Sequence, residues 1–219
     1  LDCREIRHGG RVVIEQGSPE WFAQRLGKAT ASRIADIIAK TKSGYSTSRA
    51  NYAAELVCER LTGAQAERFK NAAMEWGTEK EPEARAAYEF MHDVDVALAE
   101  FVPHPHIPMS GASPDGYVGD LGLIEIKCPI SATHIDTLLR GQVPDKYEVQ
   151  MLWQMACTGR AWCDYVSFDP RLPPHLQLFV KRVHRDDKRV GEMEREVESF
   201  LAEVADTIDK LAKLERKAA

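Results

Sequence analysis

Apolar residues recur every three or four positions through most of the first 92 residues, which is the spacing of one face of an α-helix. A short helix is predicted from Pro19. A second helix that carries Ile34, Ile37 and Ile38 is predicted after it, with Thr30 or Ser32 as its N-cap. The first part of the chain, residues 1–92, is therefore expected to be mainly helical.

Two longer helices follow in the same pattern. The first runs through Tyr52 and Leu61 and stops at Gly63, and the second covers residues 71–91. The segment from Lys40 to Thr47 is rich in Lys, Ser and Gly and is predicted to be a loop. Near the N-terminus the apolar run 12–14 is either a short edge strand or an arm on a neighbouring molecule.

The pattern changes to alternation after Asp93, and this alternation is typical of β-strands. A strand-rich segment ends near Cys128, a helix is predicted over Tyr147 to Thr158, and strands are predicted over 165–168 and 176–183. Residues 186–217 place apolar side chains on one helical face, opposite a charged face that is most simply solvent-exposed. The pattern thus predicts one α/β domain over 1–219: a helical part (1–92), a sheet core (93–185) and a C-terminal helix (186–217).

Composition narrows the protein class. A chain of 219 residues can bury a sizeable core, and it contains no apolar stretch of the roughly 18 residues that a membrane span requires. Its five scattered cysteines suggest neither a disulfide framework nor a zinc or iron–sulfur site, so a cytosolic protein with reduced thiols is expected. The net charge of −5 argues against a protein that coats nucleic acid indiscriminately, but a nuclease with an acidic metal site is compatible with it.

The candidate chemistry lies in one predicted hairpin. Asp115 and Glu125 are separated by a turn that contains Gly119, Asp120 and Gly122. If the strands pair symmetrically about residue 120, the Cβ atoms of the two acids lie about 5 Å apart on one face. Two carboxylates at that distance can share a divalent cation.

Strand alternation adds Lys127 to the face of Glu125 and turns Ile124, Ile126 and Cys128 towards the core. Carboxylates that hold Mg²⁺ next to a lysine are suited to phosphodiester hydrolysis, because the metal polarises the phosphate and lowers the pKa of bound water. By its spacing alone, however, the pattern favours a solvated surface hairpin with an incidental ion pair over a metal site.

The flanking sequence is more specific. SPDG at 113–116 followed by LIEIKCP at 123–129 resembles the PD-(D/E)xK signature of the lambda-type (YqaJ) viral recombinase exonucleases. The similarity extends through RLGKATAS (25–32), WGTEKEPEAR (76–85), YEVQMLWQM (147–155) and SFDPR (167–171), and it covers roughly residues 19–185. It implies a restriction-endonuclease-like core, in which a central mixed β-sheet is flanked by helices.

The resemblance also implies roles for individual residues. Asp115, Glu125 and the backbone carbonyl of Ile126 would bind metal, and Lys127 would act on the attacking water. Glu81 would be a further acidic site residue and Gln150 would line the same site. From the sequence alone, Glu81 is simply an exposed helix carboxylate and Gln150 an ordinary helix residue.

A pocket for a terminal 5′-phosphate is implied at Arg25, Ser32 and Ser113, and a helix that begins near Thr30 would offer N–H groups to an anion. The alternative for Ser32 is plain N-capping, and Arg25 is otherwise a surface arginine. Met74 and the loop around Lys42 correspond to positions that part and guide the DNA strands, although a helical methionine is more often part of a core.

The chain departs from the family pattern in one place. Related enzymes can carry an arginine shortly after the ExKCP strand, whereas residues 130–134 contain none. The pocket is then weaker or differently built, with His134 or Arg140 as substitutes. The alternative for His134 is an ordinary surface histidine.

The resemblance implies a 5′→3′ exonuclease on linear double-stranded DNA with a 5′-phosphate. It would use two Mg²⁺ ions per site, with Mn²⁺ as a substitute, to release mononucleotides and leave a 3′ overhang. It also implies a homotrimeric ring, a single-strand annealing recombinase as partner, and a phage or prophage origin. A PD-(D/E)xK endonuclease and a non-catalytic DNA-end-binding module are the alternatives.

Overall fold

The computed structural model describes residues 6–8, 11–14, 16–65 and 72–218, and Asn71, the predicted start of the second long helix, lies outside these ranges. Twelve strands and seven α-helices are defined within them. In chain order, the strands are β1 (Ile6–His8), β2 (Arg11–Val13), β3 (Ala29–Thr30), β4 (Lys40–Thr41), β5 (Gly44–Tyr45), β6 (Val96–Ala97), β7 (Val102–Pro103), β8 (Ser110–Ala112), β9 (Gly116–Val118), β10 (Gly122–Lys127), β11 (Trp162–Phe168) and β12 (Leu178–His184). The helices are α1 (Pro19–Arg25), α2 (Ile34–Ile38), α3 (Thr47–Thr62), α4 (Ala72–His92), α5 (Ser131–Arg140), α6 (Asp145–Thr158) and α7 (Asp187–Ala218).

The described residues form two compact units that are discontinuous along the chain. The first contains the described parts of Leu1–Glu67, Glu100–Ser113 and Asp187–Ala219, and the second those of Arg68–Ala99 and Pro114–Asp186. The N-terminal and C-terminal helices therefore group together, and α4 groups with the large sheet. This grouping differs from the helical part, sheet core and C-terminal helix of the sequence prediction, and the assignment of 1–219 to one domain stays a prediction.

The first unit packs α2 and α3 against the long helix α7. The apolar face of α7 supplies six buried residues, and Tyr52 of α3 stacks on one of them, Phe200, with ring centroids 5.5 Å apart. The charged face of α7 is not only solvated, because Glu203 pairs at 2.7 Å with the buried Arg49 of α3. A small sheet in the order β3-β8-β7 completes the unit, with β3 parallel and β7 antiparallel to β8.

The second unit contains a five-stranded mixed sheet in the order β12-β11-β10-β9-β6. Among the described strands of this sheet, β10 and β11 are the one parallel pair. Ile124 and Ile126 turn one face of β10 into a core that includes Ala84 and Tyr88 of α4. Because side chains alternate along a strand, the other face of β10 carries Glu125 towards α6. The predicted mixed sheet between helices is confirmed.

Two sequence predictions of local structure are wrong in detail. The segment 40–47 contains a short antiparallel hairpin of β4 and β5 rather than loop alone. Neither Thr30 nor Ser32 caps α2, because a 3₁₀ turn over Ala31–Arg33 intervenes and Arg33 occupies the N-cap position. Helix α5 was not predicted.

Candidate active site

The β9–β10 hairpin has the register that the sequence predicts. Val118 pairs with Gly122, Tyr117 with Leu123 and Gly116 with Ile124, so the ladder is symmetric about residue 120. Gly119 in the turn has a φ of +51°, a conformation that glycine adopts without strain. Continuing this register places Asp115, just before β9, opposite Glu125.

Asp115 is tied to the middle strand of the sheet. Its Oδ2 atom accepts a hydrogen bond of 2.6 Å from the backbone N–H of Ile126, and its side chain is buried. The N–H and C=O of one strand residue point to the same side, so the carbonyl of Ile126 points towards this edge as well. β9 stops at Gly116, which leaves Asp115 rather than a ladder partner at this position.

Glu125 is fully buried and its carboxylate is held by three donors. Oε1 accepts from the side-chain amide of Gln150 at 2.6 Å and from the ammonium of Lys127. Oε2 accepts from the side-chain amide of Gln154 at 2.5 Å. The structure thus brings the predicted Glu125, Lys127 and Gln150 together, and adds Gln154.

Glu81 belongs to the same acidic group. It lies on α4, where its Oε1 accepts from Arg85 at 2.5 Å, and Arg85 also reaches the backbone carbonyl of Asp115 at 3.5 Å. Burial raises the pKa of Glu81, the cations Arg85 and Lys127 oppose this rise, and the carboxylate of Glu125 adds to it. The reading of Glu81 as a plain exposed helix carboxylate is therefore wrong.

The acids carry an excess of negative charge that a cation would relieve. Burial raises the pKa of Asp115 well above its ordinary value, and the neighbouring Glu125 raises it further. Burial would lower the pKa of Lys127, but Glu125 and Asp115 outweigh burial and raise it, so the lysine remains an ammonium ion at neutral pH.

The donor set fits a hard divalent ion. Mg²⁺ is usually held by one or two carboxylates, with waters and substrate phosphate as its remaining ligands. Over the described parts of the chain, no three His, Cys, Asp or Glu side chains converge as a metal cage. Asp115 and Glu125, opposite each other in the hairpin register, match this two-carboxylate arrangement.

Aromatic and thiol neighbours complete the surroundings of Lys127. Its Nζ lies 5.3 Å from the ring centroid of Tyr147, which stacks on Tyr165 at 5.6 Å. Burial raises the pKa of the adjacent Cys128 thiol to about 12, so Cys128 stays protonated and is no nucleophile at neutral pH. The polar groups of this face are therefore carboxylate and amide oxygens and one ammonium.

Two of the three predicted phosphate-pocket residues lie together. Arg25, at the end of α1, donates from Nη1 to the hydroxyl of Ser113 at 2.8 Å and stacks on Trp21 at 4.1 Å. Ser32 is exposed in the 3₁₀ turn, and plain N-capping does not describe it. The backbone N–H of Thr30 is not free for an anion, because it donates to the hydroxyl of Tyr52 at 3.1 Å.

The loop after Arg25 is braced by two consecutive residues of α3. The backbone N–H of Gly27 donates to the carboxylate of Glu59 at 2.9 Å, and the carbonyl of Gly27 accepts from Nε of Arg60 at 2.8 Å. Gly27 has a φ of +67°, and a Cβ atom there would lie 2.8 Å from Cγ of Arg60. Glycine is therefore required for this turn.

His134 and Arg140, the two residues considered in place of the arginine absent from 130–134, lie in different environments. His134 is fully buried, and its ring nitrogens lie 2.7 Å from Oγ of Ser167 and 2.8 Å from the carbonyl of Leu176. Its reading as a surface histidine is wrong, and its two buried contacts leave it no free nitrogen for a phosphate. Arg140 is exposed and pairs with Asp136 one turn earlier in α5.

The strand-guiding positions are on the surface. Met74 is 53% exposed, so the alternative that it is part of a core is wrong. Lys42 is exposed in the turn between β4 and β5. Their contact with DNA stays a prediction.

Sequence reasoning did not single out Gln154, Arg85 or Tyr147, although all three lie within the quoted motifs. The available signal for Gln154 is its spacing, since it follows Gln150 by four residues on one helix face. Arg85 follows Glu81 by the same interval.

Further features bear on the class of protein. Cys58, Cys128, Cys157 and Cys163 form no disulfide. Among the helices of the described residues, none combines the length and the apolar character needed to cross a bilayer.

Comparison with known proteins places this geometry in context. A family model described as the YqaJ-like viral recombinase domain matches residues 20–161. No curated protein matches the sequence.

Two solved structures of one bacterial protein are similar along nearly the whole chain. They are the alkaline exonuclease LHK-Exo from Laribacter hongkongensis and the same protein in complex with dAMP, with TM-scores of 0.86 and 0.87. In both, the identity is 51%, and the match covers 92% of this chain and 100% of the other. A phage-related exonuclease from Haemophilus somnus 129PT shares the fold at a TM-score of 0.67 and 16% identity, over 84% of this chain and 96% of that one.

Proposed function

The chain belongs to the family of YqaJ-like viral recombinase domains, and from this membership we propose that it is a nuclease that digests linear double-stranded DNA in the 5′→3′ direction. The observation that most strongly supports this proposal is the buried carboxylate of Glu125, which contacts Lys127 and lies opposite Asp115 in the hairpin register. A surface hairpin with an incidental ion pair would not bury its acid completely. The similar protein named alkaline exonuclease supports the same activity.

The site residues take roles that follow from their surroundings. Asp115, Glu125 and the carbonyl of Ile126 are the proposed ligands for two Mg²⁺ ions, with Glu81 as a further acid. Bound Mg²⁺ would polarise the scissile phosphate and lower the pKa of bound water. Because Lys127 is held as an ammonium ion, its role is to donate hydrogen bonds to the attacking water or to a phosphate oxygen, and Gln150 steadies the shared Oε1 of Glu125.

End dependence is assigned to the Arg25 group. Its guanidinium is already oriented by Ser113 and Trp21, so little side-chain freedom is lost when it binds an anion. Such a fork suits a terminal 5′-phosphate, and the exposed hydroxyl of Ser32 is the third proposed donor. The products are then 5′-mononucleotides and a 3′ overhang, and the similar LHK-Exo forms a complex with dAMP, a nucleotide of that class.

The assembly and partners are proposed from the family alone. A ring-shaped homotrimer would retain an acidic chain on DNA by topology rather than by a large basic surface. A single-strand annealing recombinase would receive the overhang, as expected for a phage or prophage enzyme of the bacterial cytosol.

The test is digestion of 5′-phosphorylated linear duplex and of closed circular duplex with Mg²⁺, by the wild type and by Lys127→Ala. We expect mononucleotides from the linear DNA alone, no release in EDTA, and at least a 10³-fold slower reaction for the variant, as roughly expected when a positioned charge is removed. A label at either end of one strand reports the direction. Cutting of the circle would identify an endonuclease, and binding of ends without cleavage would identify a non-catalytic module.

A further inference from the structure

Gln154 contacts the central carboxylate from the side that is closed to solvent. Its side chain is fully buried on α6, and its Nε2 donates to Oε2 of Glu125 at 2.5 Å. A group with no exposed surface in the folded unit has no access to DNA or to bulk water. Its effect on a reaction at this site therefore has to pass through Glu125.

The two oxygens of Glu125 are divided between different neighbours. Oε1 faces Gln150 and Lys127, which are both partly exposed, whereas Oε2 faces Gln154. Rotation about the last torsion of a glutamate is otherwise broad, and an exchange of the two oxygens is easy for a free carboxylate. With Gln150 and Gln154 one turn apart on α6, the carboxylate plane is held at both ends.

The amide of Gln154 is itself oriented. An amide has a donor end and an acceptor end, and only the donor end can satisfy a carboxylate. The other end, Oε1, lies 3.9 Å from Sγ of the buried Cys163 on β11. Burial, together with the nearby Glu125, raises the pKa of this thiol well above its ordinary value, so Cys163 keeps its proton and is a weak donor to the amide oxygen.

We propose that Gln154 is a positioning residue of the nuclease site: it engages Oε2 of Glu125 and so leaves Oε1 fixed towards Lys127 and a bound divalent cation. The proposal rests on the proposed function, because it concerns the same metal site. A buried hydrogen-bond partner of a ligating carboxylate sets its orientation, and loss of such a partner weakens metal affinity or activity by about 10–100-fold. Gln154 thus differs in kind from Gln150, which is partly exposed at the site itself.

The test compares Gln154→Met with a matched control on the same helix. Methionine keeps the length and volume of the side chain but has no N–H donor. Met155→Leu is the control, because Met155 is also fully buried in α6 and the change preserves its volume. Both variants are first melted by circular dichroism to establish that they fold.

Two measurements then separate positioning from packing. Calorimetric titration of the DNA-free protein with Mn²⁺ alone is expected to give a Kd about 10–100-fold weaker for Gln154→Met, and an unchanged Kd for the control. Digestion of 5′-phosphorylated linear duplex is expected to need a correspondingly higher Mg²⁺ concentration for half-maximal kcat, with an unchanged KM for DNA. A packing role would lower the melting temperature and leave both metal titrations as in the wild type.

The outcomes distinguish failure of the positioning role from failure of the proposed function. Wild-type Mn²⁺ affinity in folded Gln154→Met, or an equal loss in Met155→Leu, overturns the positioning role while the proposed nuclease stands. Failure of the wild type to bind Mn²⁺ and to cut DNA overturns both. If Gln154→Met does not fold, Gln154→Asn, which keeps the amide but is too short to reach Oε2, carries the same expectation.

Discussion

The backbone N–H of Ile126 donates to Oδ2 of Asp115 at 2.6 Å, which fixes a buried acid from outside the hairpin ladder to the central strand of the sheet. This contact holds Asp115 close to the ladder position opposite Glu125 even though β9 has already ended at Gly116. Glu81 lies within electrostatic reach of Glu125 and Lys127, and it pairs with Arg85. Burial beside Glu125 disfavours the charged form of Asp115, as the raised pKa of this acid indicates.

Asp115→Asn is expected to separate stability from activity. The amide oxygen of the introduced asparagine can still accept the hydrogen bond from Ile126, while the substitution removes one buried negative charge. By analogy with the replacement of other buried charges, we expect the free energy of unfolding in EDTA to rise by about 1 kcal/mol. Activity should fall by roughly 10³-fold, because several kcal/mol of metal stabilisation are lost. Differential scanning calorimetry with and without Mg²⁺, alongside digestion of linear duplex, measures both.

The wild type should gain stability from Mg²⁺, whereas Asp115→Asn should gain much less. An equal Mg²⁺ stabilisation of both proteins would contradict the assignment of Asp115 as a metal ligand.

Arg25→Gln is expected to reduce the preference for a 5′-phosphate. A hydrogen bond to a charged group contributes about 1.5–3 kcal/mol, so the ratio of rates on 5′-phosphoryl and 5′-hydroxyl ends should fall roughly 10–100-fold. Arg25→Lys keeps the charge but loses the planar guanidinium that stacks on Trp21. Its rate ratio should therefore lie between those of the wild type and Arg25→Gln. Parallel digestion of duplexes with either end measures the ratio.

Arg140→Gln is the matched control, because Arg140 is the other arginine considered for the phosphate, and its side chain is 73% exposed. If the ratio fell in Arg140→Gln and not in Arg25→Gln, the pocket would lie on α5 instead.

The sequence predicts the β9–β10 hairpin well because its information is local. Asp115, Glu125 and Lys127 lie within 13 residues, and the turn and the two-residue strand period determine which side chains share a face. The register found in the structure is the one that symmetry about residue 120 predicts.

Helix α5 shows where pattern reasoning fails. Its buried side chains include the polar His134 and Thr137, while Ile135 and Leu139 are exposed. A binary apolar pattern therefore carries no signal for the buried face of this helix. Gln154 escapes notice for the same reason, since a polar residue at a fully buried position has a partner that only the tertiary structure supplies.

The ion pair between the buried Asp169 and the exposed Arg171, outside the proposed nuclease site, predicts a pH dependence of stability. Burial alone would raise the pKa of Asp169, but hydrogen bonds from Arg171 and Ser131 lower it to about 2. A folded-state pKa below the ordinary value of 3.8 means that the pair stabilises the protein above about pH 4 and that this contribution is lost as the pH falls towards 2. Asp169→Asn should therefore unfold more easily than the wild type at pH 7, by about 1–2 kcal/mol, and match it more closely near pH 2.5.

Urea unfolding at the two pH values measures this difference. Asp136→Asn is the control, since Asp136 is 56% exposed and its pair with Arg140 should contribute less than about 0.5 kcal/mol at either pH. A deficit of Asp169→Asn that persisted unchanged at pH 2.5 would point to packing rather than charge.

Gly27→Ala tests whether the brace from α3 shapes the loop that follows Arg25. Two effects add at this position: a left-handed φ, which costs a side chain about 1–2 kcal/mol, and a Cβ atom 2.8 Å from Cγ of Arg60. Arg60 cannot swing away without breaking its bond to the carbonyl of Gly27, so a further 1–3 kcal/mol of overpacking is roughly expected. Gly63→Ala is the matched control. Gly63 has a similar φ of +66°, but no atom lies within 4 Å of the position that its Cβ would take.

Chemical unfolding of the two variants should therefore give a larger loss for Gly27→Ala, and only this variant should also lose discrimination between 5′-phosphoryl and 5′-hydroxyl ends. If both variants lost the same stability and kept the end preference, Arg60 would move aside without cost. The contacts of Gly27 with Glu59 and Arg60 would then not determine the preference for a 5′-phosphate. A loss of end preference in Gly27→Ala at a temperature where the protein remains folded would instead tie the left-handed turn at Gly27 to the orientation of Arg25.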